Sequence, residues 1–172
     1  TAETPSATGY TNLYNLNSAS TRITLFGKID GGSESGPTVT VSGASNTHSS
    51  VMIGIDGTAT DMGTVVHASA SQANGGADNS VEYPALTITE NNTIVVLILE
   101  YNNDDDLIGD LSWSTPSGFT QVGSYCTALG ADMCTVVYYQ IQTTATNISS
   151  GSVTRTATGA TASHGALIVS LK

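Results

Sequence analysis

At 172 residues, 39% of them hydrophobic, the chain is long enough to bury one core, or two half-cores facing each other, within a single domain. Four cations (Arg22, Lys28, Arg155 and Lys172) stand against fourteen acidic residues, and the net charge of −10 argues against attraction to a phosphate backbone, so no nucleic acid is expected as a partner. The longest unbroken apolar run, 94–99, is far short of the roughly 20 residues that cross a bilayer as a helix, and no membrane insertion is expected.

Short runs rich in Val, Ile, Thr and Tyr alternate with Gly, Ser and Asn clusters. They predict strands at 10–16, 22–29, 38–42, 50–55, 64–69, 85–89, 93–101, 119–125, 134–142, 152–157 and 166–171. Between them, 71–80 (SQANGGADNS) reads as an exposed loop. The 94–99 run is apolar on both faces, the pattern of a central, covered strand. No stretch keeps a helical period for more than two turns. The predicted fold class is all-β, a jelly-roll-like β-sandwich.

The last third of the chain resembles its first third. Ser35-Gly36-Pro37 leads through Gly43 and His48 into Val51-Met52-Ile53-Gly54-Ile55; Ser150-Gly151-Ser152 leads through Gly159 and His164 into Leu167-Ile168-Val169-Ser170-Leu171. Upstream, Thr4-Pro5-Ser6-Ala7-Thr8-Gly9-Tyr10-Thr11 answers Thr115-Pro116-Ser117-Gly118-Phe119-Thr120, and 23–29 answers 135–141. This order predicts an internally duplicated strand unit within one domain spanning 1–172, with copy one at 4–56, a connecting segment at 57–114 and copy two at 115–172. The apolar 94–99 run precedes copy two, and copy one has no counterpart. Either the sandwich is asymmetric, or an upstream segment or a neighbouring subunit fills the place by strand addition. With no initiator Met and no signal peptide at its start, the sequence is expected to begin after a processing site or to be a segment of a longer product.

The motif order is an apolar strand, Trp113-Ser114-Thr115-Pro116-Ser117-Gly118-Phe119-Thr120, Val136-Val137-Tyr138-Tyr139-Gln140-Ile141, a Thr/Ser/Gly-rich strand, then Gly165-Ala166-Leu167-Ile168-Val169. It resembles a duplicated β-sandwich module of structural proteins of tailed phages and prophages, in which a P-(S/A)-G-(W/F)-T turn and a YYK strand recur. Ile53-Gly54-Ile55-Asp56-Gly57 looks like that module's inter-copy junction, so the resemblance covers almost the whole chain. The chain departs from it in carrying Phe119 and Tyr10 where Trp is commoner, and in starting without the first strand. The resemblance implies a capsid decoration protein or a tail-associated adhesin domain.

Candidate sites are few. Asp104, Asp105, Asp106 and Asp110 form the densest charge cluster, with hard oxygen ligands that could hold Ca²⁺, although the spacing is not that of an EF-hand and a solvated acidic loop explains it equally. No other cofactor is expected. Cys126 and Cys134 bracket turn-forming residues and could face each other across a hairpin as a disulfide, which would imply an oxidising compartment; two reduced thiols are the alternative. His48 and His164 occupy equivalent places in the two copies, which favours an inherited packing or hydrogen-bonding role, and His67 reads as a surface strand residue. Tyr10, Trp113, Phe119, Tyr138 and Tyr139 either pack cores or stack on a sugar. Asn91-Asn92-Thr93 and Asn147-Ile148-Ser149 match the N-glycosylation sequon.

No nucleophile stands in a recognisable elbow, and no enzyme is expected. The expected function is a non-enzymatic structural protein of an extracellular assembly, a phage virion component, located in the virion or outside the cell. Its expected partners are other virion or filament subunits, with homo-oligomer formation, and a cell-surface glycan is a further candidate. The alternatives are an extracellular filament subunit assembled by strand donation and a carbohydrate-binding module.

Overall fold

The computed structural model describes residues 4–17, 22–32, 35–42, 49–55, 60–76, 79–103, 112–127, 132–156 and 162–172. The described residues contain no helix. The strands are β1 (Thr4–Ala7), β2 (Thr11–Asn17), β3 (Arg22–Gly27), β4 (Val39–Ser42), β5 (Val66–Gly76), β6 (Ser80–Tyr83), β7 (Thr93–Asn103), β8 (Thr120–Thr127), β9 (Asp132–Gln142), β10 (Gly151–Thr154) and β11 (Ala162–Leu171). One antiparallel sheet has five strands in the order β5-β11-β7-β9-β8; the pairs β1-β4, β2-β3 and β10-β6 form three smaller antiparallel sheets.

β7 lies at the centre because it is apolar on both faces, and both faces are used. Val95, Leu97, Leu99 and Tyr101 alternate onto one side, where Val136 and Tyr138 of β9 and Ala166 and Ile168 of β11 join them. Val81, Tyr83, Leu86, Trp113, Phe119 and Val153 close this core from outside. Val96 and Ile98 point the other way and meet Val137, Leu167, Val169 and Leu171. There the β2-β3 hairpin and the 51–55 segment lie over the sheet through Tyr14, Leu16, Ile23, Leu25, Val51, Ile53 and Ile55. The large sheet is thus covered on both faces by smaller β elements.

Several sequence expectations shift. Residues 71–76, read as exposed loop, complete β5, whose backbone pairs with β11 from Ala162↔Gly76 to Leu171↔Val66. The polar composition misleads because β5 is an edge strand that packs only Val66, Ala68 and Ala70 against the cores. The 50–55 stretch is assigned no strand pairing even though its exposure alternates. The 85–89 stretch contributes only an isolated bridge, Leu86↔Ile148. β1 and β6, four residues each, carry too short a pattern to be read from composition.

The hairpins β2-β3 and β8-β9 share one register. Thr11 faces Gly27 and Thr120 faces Tyr139; Leu13 and Val122 are then each passed over in a bulge; beyond it Tyr14 faces Leu25 and Gly123 faces Val137, down to Asn17↔Arg22 and Cys126↔Cys134. The turns before the hairpins also match. Tyr10 N–H donates to Ala7 O at 3.2 Å and Phe119 N–H to Pro116 O at 3.1 Å, with Gly9 and Gly118 at φ 80° and 82°. These are type II turns, which put a left-handed residue at the third position. Ala7, not Pro5, therefore takes the place of Pro116. Gly118→Ala is expected to cost about 1–2 kcal/mol, since a Cβ is strained at this φ and would come within 3.1 Å of the Gln140 side chain. Chemical denaturation measures it, and an unchanged midpoint would show that the turn tolerates another conformation.

Candidate functional site

Of the residues singled out in sequence, Asp104, Asp105, Asp106, Asp110 and His48 lie outside the described residues. Among the described residues, no group of three or more His, Cys, Asp and Glu side chains is placed to hold a metal ion. Cys126 and Cys134 sit directly opposite each other on β8 and β9 and are joined by a disulfide. The bridge closes a short loop, which by chain entropy stabilises the fold by about 2–3 kcal/mol. Cys126→Ser combined with Cys134→Ser is expected to lower the unfolding free energy by about that amount; two free thiols found by mass spectrometry under non-reducing conditions would remove the bridge from the account.

The five aromatic residues do not share a face. Trp113, Phe119 and Tyr138 are buried in the core against β6 and β10, while Tyr10 and Tyr139 are half-buried and Tyr10 lies under the Lys28 ammonium. Tyr138 donates its hydroxyl to Ser114 O at 3.0 Å, and burial pushes its pKa up to about 12. In the two sequons, Asn91 Oδ1 accepts from Ala145 N–H and Asn147 Oδ1 from Ile88 N–H, so both asparagines tie loops together.

His67 on β5 accepts from Thr89 N–H at Nε2 and meets Glu90 through Nδ1 at 3.4 Å, and Lys172 pairs with the same carboxylate. The Lys172 ammonium holds Glu90 below the usual carboxylate range. An open polar depression of about 430 Å³ lies between Gln72, Glu82, Tyr83, Ser150, Gly151 and Ser152, where Gln72 donates to Glu82 at 2.9 Å.

Two further features emerge from the structure. The first is a buried polar group at one end of the sheet. Tyr101 is flanked by His164, its cross-strand partner stacked at 6.0 Å, by the Trp113 edge at 5.8 Å, and by the Arg155 guanidinium at 4.2 Å from its ring centre. Arg155 is 2% exposed, and its three guanidinium nitrogens have no hydrogen-bond partner among the described residues. A lone cation in a Ser/Thr-rich strand was the available signal. Glu100, one residue before Tyr101, turns to the opposite face of β7; it is 6% exposed, its Oε2 has no partner among the described residues, and desolvation raises its pKa to about 8.

The second feature is a hairpin edge that no further strand pairs among the described residues. β9 is paired on both edges, by β8 and β7, and β11 by β5 and β7. Among the described residues, β3, which matches β9 in register, is paired only by β2, and the 49–55 segment by no strand. β3 lies against β11, and Ser49 hydrogen-bonds Thr135 of β9 through their hydroxyls, so the two elements flank the line of β7 from above. Burial records the difference: Val137, Leu167 and Val169 are at most 1% exposed, whereas Leu25, Val51, Ile53 and Ile55 are only partly buried. No family model, no curated protein and no solved structure matches the chain.

Proposed function

We propose that this chain is a non-enzymatic structural protein of an extracellular assembly, a phage virion component of the capsid-decoration or tail-associated kind, built as a jelly-roll-like sandwich from a duplicated strand unit. The observation that carries the reading is the one-sided pairing of β3 among the described residues, beside half-buried apolar side chains. Such an edge is a liability in a solitary protein and a joint in an assembled one. The shared register, bulge and type II turn of the two hairpins support the duplication. The motif resemblance supports the virion, and a surface with few cations suits the outside of a particle rather than its nucleic-acid interior.

The same edge also favours a second reading, a surface filament whose subunits are joined by donated strands. Gold-labelled antibody against the chain, viewed on native particles by electron microscopy, separates them. Label on a phage head or tail is expected; label along cell-surface fibres would favour the filament, and label on neither would overturn both.

A further inference from the structure

We propose that the first half of the chain accepts an extended strand, apolar on both faces and donated by another polypeptide, at the edge of β3 that no strand pairs among the described residues. The inference deepens the assembly reading and rests on it. β7 shows the chemistry of the missing strand. It pairs with β9 from Thr93↔Gln142 to Asn103↔Asp132 and with β11 from Leu171↔Ile94 to Ser163↔Asn102, filling the space between two strands whose first-half counterparts, β3 and 49–55, have nothing between them among the described residues. A strand there would continue the interface already formed between the β2-β3 hairpin and the large sheet, and would bury the remaining surface of Leu25 on β3. Because Val96 and Ile98 are only 1% and 8% exposed, the flanking elements close over β7 as they stand. Admission of a strand therefore displaces the 49–55 segment, which no ladder hydrogen bonds hold among the described residues.

Three observations narrow the occupant. The described part of a second copy has no such strand to give, since β7 is paired along both edges. Arg22 and Lys28, two of the chain's four cations, stand at the two ends of β3 and favour a strand with acidic rather than basic ends. Glu100 shares the inward face of β7 with Val96 and Ile98, and its unpartnered Oε2 calls for one hydrogen-bond donor among the occupant's inward side chains.

The test uses the full 172-residue chain and a synthetic peptide of the β7 sequence, 93–103, flanked by aspartates. At roughly micromolar concentration, the chain is expected to sediment as a monomer and to take up one peptide. Amide exchange across 22–27 should slow at least about tenfold, with a scrambled peptide inert. Failure of uptake, amides of β3 already as protected as those of β9 in the chain alone, or self-association through this edge would each overturn the proposal. The gold-labelling result stands apart from it: a chain found on the particle that refuses the peptide keeps its structural role and loses the strand site.

Discussion

Raising the pH from 4 to 9 is expected to strip on the order of 4–5 kcal/mol of stability from the wild-type chain through Glu100 alone, at about 1.4 kcal/mol per pKa unit, and Glu100→Gln is expected to remove that loss. The cause is burial: the carboxyl sits on the covered face of β7 with uncharged cross-strand neighbours, Thr135 and Gly165, and its pKa rises from an ordinary 4.5 to about 8. The sign follows from which state ionises first. The unfolded chain releases this proton near 4.5 while the folded chain keeps it until about 8, so the unfolded state gains across that window. Stability from this group is therefore highest below the window, falls through it, and is level above it. Glu90, held low by Lys172, acts in the opposite direction, and it is common to both proteins. Urea titrations at several pH values measure the difference, and parallel curves for the two proteins would show that water or a donor reaches Glu100 in the fold.

The second large effect is Leu97→Ala, expected to cost about 2–5 kcal/mol because the side chain is fully buried in the core against β6 and β10. Leu25→Ala, at a half-buried position, is expected to cost about half as much or less. The contrast matters more than either number. Saturation with the β7 peptide should raise the cost at Leu25 and leave that at Leu97 unchanged, whereas equal costs without peptide would mean that the first half is already closed.

Much of the architecture was legible in the chain because the strongest signals were local. The two-faced apolar run of β7 announces a central strand, and the alternation in β9 and β11 places them beside it. What escaped was set by tertiary context. β5 is polar along most of its length, and only pairing with β11 makes it a strand. The 49–55 segment has a strand's alternation and, among the described residues, no strand paired with it. Arg155, in the sequence one of four scattered cations, is folded beneath Tyr101 by the Trp113 bridge, and Glu100 is buried on β7 between cross-strand partners that the sequence alone does not place.

The order of the strands in the large sheet also governs how the chain can be made. β7 is sealed on one edge by β9 and on the other by β11, the last strand of the series. On a ribosome adding about 5–20 residues per second, the roughly 60 residues between β7 and β11 take about 3–12 s to emerge. During that time Ile94–Leu99, six apolar residues of high β-propensity, stand with an unpaired edge, the signature of a sticky segment. Crowding of nascent chains on one messenger would favour pairing between copies at this strand, so slowed translation before residue 93, or a holding chaperone, should raise the soluble yield more than any change in the finished fold.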